Sequence, residues 1–180
     1  MKHFLILLLF AFFLSAKIIA QNITNQNWQT EDDFRLDEDN VKENIIWLEE
    51  NPLATSSNDT KAVTEYVLNW LSNTPYISVT NDEVFLEGLT NIKKYKFGEK
   101  FRVTYLFGKS YYIITNPEKP NEANASARGV LGMVKVYQEL KIVDPSVRHR
   151  ILEKYSRLVK SNRLESYIQT RLNKIAPRNL

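Results

Sequence analysis

FGEKFRVTYLFGKSYYIITNP, residues 97–117, supports two incompatible secondary structures. Phe101, Val103, Tyr105 and Phe107 alternate, Gly108-Lys109 fits a two-residue turn, and residues 110–115 are again rich in β-formers. That is a β-hairpin pattern over 101–115, and local propensity alone favours it. Helical spacing fits the same letters. Phe97, Phe101, Tyr105, Gly108 and Tyr112 fall at i, i+4, i+8, i+11 and i+15. On a helix, Gly108 would let a neighbouring helix approach closely, at about 1 kcal/mol relative to Ala. Asn116-Pro117 would end it, because the residue before proline disfavours the α region.

The segments on either side read as helices. Downstream, residues 123–140 combine small positions (Ala125, Gly129, Gly132) with two apolar lines, Val130, Val134, Tyr137 and Met133, Val136, Leu140. A stripe that wide predicts a central, largely buried helix. Asp144-Pro145 is a helix-start signal. It is followed by a stripe of Val147, Ile151, Tyr155 and Leu158, with Arg150, Lys154 and Arg157 on another face. Leu164, Ile168, Leu172 and Ile175 predict a last helix, closed by Pro177.

Upstream, Asn40 and Glu43 suggest a capping box for a helix carrying Val41, Ile45 and Leu48, stopped by Asn51-Pro52. A second helix is predicted from Ser57 or Asp59 to Thr74-Pro75, with Val63, Val67, Trp70 and Leu71 on one face and Tyr66 beside it. Residues 76–79 are extended in character. Asn81 or Asp82 can cap a third helix with Phe85, Leu89 and Ile92 inward. Residues 21–39, first rich in Asn and Gln and then in Asp and Glu, read as a flexible acidic leader.

The first 20 residues read as an export signal. A basic start, Met1-Lys2-His3, precedes an unbroken apolar run over residues 4–14, and Ser15, Ala16 and Ala20 are small. The run is shorter than the roughly 20 residues of a membrane span. Cleavage is expected after Ala20, with Ala16 as the second choice. The expected location is periplasmic or secreted. The chain of 180 residues contains no cysteine, so thiol catalysis, thiolate metal sites and disulfides are excluded. With 43% hydrophobic and 25% charged residues it has the composition of one folded domain. The expected organisation is signal 1–20, leader 21–39 and a single helical domain over 40–180.

The net charge of +3 conceals a segregation. Residues 21–90 carry 14 acidic and 3 basic side chains, whereas residues 91–180 carry 7 acidic and 19 basic ones. Two readings compete: in one, the acidic half folds against the basic half and the charges are solvated faces. In the other, a basic C-terminal face, with Arg150, Lys154 and Arg157 as its candidate residues, meets an anionic envelope component or an unknown protein. Nucleic acid is not expected as a partner, since export separates the chain from it and no nucleic-acid motif is present. Homo-oligomerisation of acidic half on basic half is a further expectation.

Reactive chemistry finds little support in the residues. His149 is the one histidine outside the signal, flanked by Arg148 and Arg150, and reads as an exposed helix residue. A zinc site needs more ligands than that. The acidic run 31–39 lacks the glycine of a calcium loop. No phosphate-binding glycine motif occurs. No catalytic, cofactor-binding or metal residues are therefore assigned and no cofactor is expected; carboxylate-dependent hydrolysis is the alternative. Three Trp, nine Tyr and nine Phe are best read as core, with Tyr111 and Tyr112 the candidates for an aromatic groove.

Several stretches carry a likeness. The signal, IIWLEENPL, VTEYVLNWLSNTPYISV, the aromatic FRVTYLFGKSYYIITNP and the small-residue ANASARGVLGMVKVYQEL together resemble a group of small helical secreted proteins of Gram-negative bacteria. The resemblance implies an all-α fold, tips residues 98–116 toward helix, and brings no activity with it. The resulting expectation is an all-α compact bundle of five or six helices, exported and non-enzymatic, acting by binding or protein interaction in the cell envelope.

Overall fold

The computed structural model describes residues 23, 27–54, 57–91 and 94–175. The expected export signal over residues 1–20, Ile92 and Pro177 lie outside these residues. Six helices of at least 11 residues and one single turn form an all-α bundle among the described residues: α1 (Glu31–Glu50), α2 (Ser57–Asn73), the turn α3 (Glu83–Leu86), α4 (Gly98–Thr115), α5 (Glu122–Val143), α6 (Arg150–Lys160) and α7 (Leu164–Ile175).

The ambiguous segment 101–115 is helical, as α4, and not a hairpin. The reason is tertiary. Its apolar residues serve two cores at once: Phe101 and Tyr105 join one cluster with α3, α5, α6 and α7, while Phe107 and Ile114 join another with α1 and α2. A ribbon could not present these residues to helices on both sides. The β-forming hydroxyl residues are accommodated by bonding back to the preceding turn. Thr104 donates to the Lys100 carbonyl at 2.8 Å and Ser110 to the Leu106 carbonyl at 2.7 Å.

α4 and α5 form the central pair, with α1 and α2 packed on one side and α6 and α7 on the other. Glycines set the pair's spacing. A Cβ on Gly108 would lie 2.8 Å from the Arg128 carbonyl oxygen, so only glycine allows this approach. Asn-Pro pairs end α1 and α4 as expected, with the Asn51 and Asn116 side chains each bonding a carbonyl of the last turn at 2.9 Å.

The leader and its cap are corrected. Residues 31–39 belong to α1, which starts nine residues before Asn40. Thr30 is the N-cap. Its hydroxyl accepts from the Asp33 N–H, and the Asp33 carboxylate accepts from the Thr30 N–H at 2.8 Å. The acids of the first turn face the positive end of the helix. Asp37, 5% exposed, accepts from the Trp28 indole at 2.8 Å and the Tyr66 hydroxyl at 2.6 Å, which fixes this stretch to α2. The expected start at Asp144-Pro145 is a single 3-10 turn, Pro145–Val147, and α6 begins only at Arg150.

Candidate functional site

Two buried ionic centres tie the acidic half of the chain to α4 and α5. In the first, the Lys109 ammonium, 1% exposed, donates to the Thr80 carbonyl at 3.2 Å, Asp82 at 2.8 Å and Glu122 at 2.5 Å. Asp82 also accepts from Ser126 at 2.8 Å and from the Tyr105 hydroxyl. Burial alone would raise the Asp82 carboxyl, but the bonds from Lys109, Tyr105 and Ser126 outweigh it and hold the group below its ordinary range. Burial and the adjacent carboxylate push the Tyr105 phenol far up, so it stays protonated as a donor. All three ammonium protons are occupied, and Ser126 is fully buried. The arrangement locks the 80–82 loop onto the central pair; it presents no nucleophile.

In the second centre, Glu49, 2% exposed, receives the Arg128 guanidinium in a fork at 2.6 and 2.9 Å and Lys135 at 3.3 Å. Gly132 leaves room for it, since a Cβ there would sit 2.5 Å from a Glu49 oxygen. Neither centre was expected from sequence. A lysine in an aromatic run and an arginine among small residues were the signals, but the buried carboxylates they meet, Asp82 and Glu49, lie 27 and 79 positions away.

The candidate binding residues are distributed as follows. Arg150 and Arg157 lie exposed on α6, two turns and therefore about 10 Å apart along the axis. Lys154 does not join them as a free cation. Its ammonium donates to the Tyr167 hydroxyl at 2.8 Å and lies 4.1 Å from that ring's centre, which ties α6 to α7. Lys160 at the end of α6, Arg163 in the connection to α7 and Lys174 on α7 are exposed as well. Among the described residues, none of Arg150, Arg157, Lys160, Arg163 and Lys174 forms an ion pair with a carboxylate. By contrast, Arg102, Lys109, Arg128 and Lys135 of the central pair are all paired.

Tyr111 and Tyr112 do not form one groove. Tyr111 packs on the α1–α2 cluster, with the Arg128 guanidinium 4.8 Å from its ring centre. Tyr112 lies about 100° further round the helix. Its hydroxyl accepts from Asn124 at 3.3 Å, and it lines a groove of about 480 Å³ with Ala127, Arg128, Leu131, Val159 and Leu164.

His149, expected as an exposed helix residue, is the half-buried N-cap of α6. Its Nδ1 accepts from the Ile151 N–H at 3.3 Å, and its ring centre is 4.9 Å from that of Tyr95. Burial first, and then the Arg150 charge, lower its basicity, although a bond to the Gly88 backbone works the other way. Comparison with models of known protein families, with characterised proteins and with solved structures finds no match.

Proposed function

We propose that this chain is an exported, non-catalytic binding protein of the cell envelope that docks on an anionic partner through the α6–α7 face. The single observation that carries this reading is the sorting of cations. On α4 and α5, Arg102, Lys109, Arg128, Lys135 and Lys141 are paired with carboxylates and Lys100 is tied to the Pro52 carbonyl, whereas Arg150, Arg157, Lys160, Arg163 and Lys174 keep their charge for an outside partner. Such a face steers anionic partners and fixes their orientation more than it adds affinity. Two features support the rest of the reading. The basic start, apolar run and small residues over 1–20 support export. The saturated bonding of Lys109 and Glu49 supports a structural role for the buried ionic groups.

The test is retention of the mature chain on an immobilised sulfated polysaccharide across a salt gradient. Retention should be strong in low salt and weaken steeply toward about 0.15 M, where screening acts within about 8 Å. The variant R150E/R157E should lose at least about tenfold in affinity, at roughly 1 kcal/mol per surface cation. Equal retention of wild type and variant would overturn the reading.

A further inference from the structure

The basic face ends at an apolar corner. Ile142 and Val143, the last two residues of α5, are 76% and 59% exposed. They are the only adjacent pair among the large exposed hydrophobic residues of the described chain. Pro145, Arg148 and Arg150 follow within eight positions and are exposed as well. α6 then leads away from this corner, carrying Arg150 at its start, Arg157 about 10 Å on, and Lys160 at its end. Two β-branched side chains held in water thus directly precede a helix whose exposed cations have no carboxylate partner, the two ingredients of an amphipathic surface.

We infer that the partner of this face is an anionic lipid bilayer, with Ile142 and Val143 entering below the headgroups while Arg150, Arg157 and Lys160 meet the lipid phosphates. This rests on the anionic-partner reading and narrows it. A hydrated polyanion such as a polysaccharide or nucleic acid would use the cations and leave the apolar pair in water. A bilayer uses both, because its phosphates lie directly above a hydrocarbon layer. The contact is peripheral: among the described residues no helix is long and apolar enough to cross a membrane.

The experiment is co-sedimentation of the mature chain with phosphatidylcholine vesicles, with and without phosphatidylglycerol, alongside the sulfated-polysaccharide column. Binding is expected only to the phosphatidylglycerol vesicles and should fall with salt. I142S/V143S should reduce vesicle binding on the order of tenfold and leave column retention unchanged. Because the chain lacks cysteine, I142C can carry a single environment-sensitive fluorophore, whose emission should shift to the blue on phosphatidylglycerol vesicles. Column retention without vesicle binding would overturn the lipid inference and leave the anionic-partner reading standing. Loss of both would overturn both. Vesicle binding that ignores I142S/V143S and leaves the fluorophore unshifted would overturn the inference as well.

Discussion

Gly108 and Gly129 face each other where α4 meets α5: a Cβ on Gly108 would lie 2.9 Å from the Gly129 Cα, and one on Gly129 would lie 2.7 Å from the Tyr105 carbonyl oxygen. Backbone atoms cannot move aside as a flexible side chain does. Gly129→Ala should therefore destabilise the protein even though Ala is the better helix former by about 1 kcal/mol. Overpacking typically costs about 1–3 kcal/mol, so after the propensity gain a net loss of about 1 kcal/mol is expected in urea denaturation. An unchanged midpoint would show that the two helices do not approach in this way.

Lys109→Met should cost about 3 kcal/mol, since it leaves Asp82 largely buried without its cation. The effect has a pH signature. Asp82 titrates below its ordinary range in the folded protein, so its contribution is complete above the unfolded value of about 3.9 and is lost as pH falls through the folded value. The gap in stability between wild type and K109M should narrow when denaturation is repeated at pH 3. A constant gap would mean that Lys109 contributes only through packing.

His149 gives a second pH dependence, of opposite chemistry but the same direction. Burial lowers its pKa below the unfolded value of about 6.5. The unfolded chain therefore binds the proton more readily, and stability should rise with pH between about 5.5 and 7.5. His149→Asn keeps an oxygen acceptor at the helix cap and should flatten that slope. A slope of the same size in the variant would assign it to other groups.

Thr30→Ala should cost about 1 kcal/mol, the usual value of a lost N-cap, because Thr30 closes the capping box of α1. Thermal melting followed by circular dichroism is sufficient to detect it. An unstructured acidic approach to a helix starting at Asn40 would show no change.

Most of the helices were legible in the sequence because their ends carry local signals: Asn51-Pro52, Thr74-Pro75 and Asn116-Pro117 all terminate helices where expected. What was illegible depended on partners distant in sequence. α4 is rich in β-formers, and its two apolar sides blur any single stripe, so its helicity follows from the clusters it joins. The first nine residues of α1 are dominated by charge, and only the bonds of Trp28 and Tyr66 to Asp37 show why they are ordered. At the candidate site, Arg150 and Arg157 stand exposed as the periodicity implied. Lys154 followed the same periodicity, but the sequence could not reveal that Tyr167 occupies it. Adjacent tyrosines 111 and 112 looked like one surface. A helix turns about 100° per residue, and it places them on different ones.

Because α4 supplies a wall to both hydrophobic clusters, neither can close before residues 98–115 exist. During synthesis, which delivers the N-terminal end first, α1 and α2 leave the ribosome with only each other to pack on. More than half of the polypeptide must emerge before either core has its floor. A nascent chain built this way closes late, and its two cores close together.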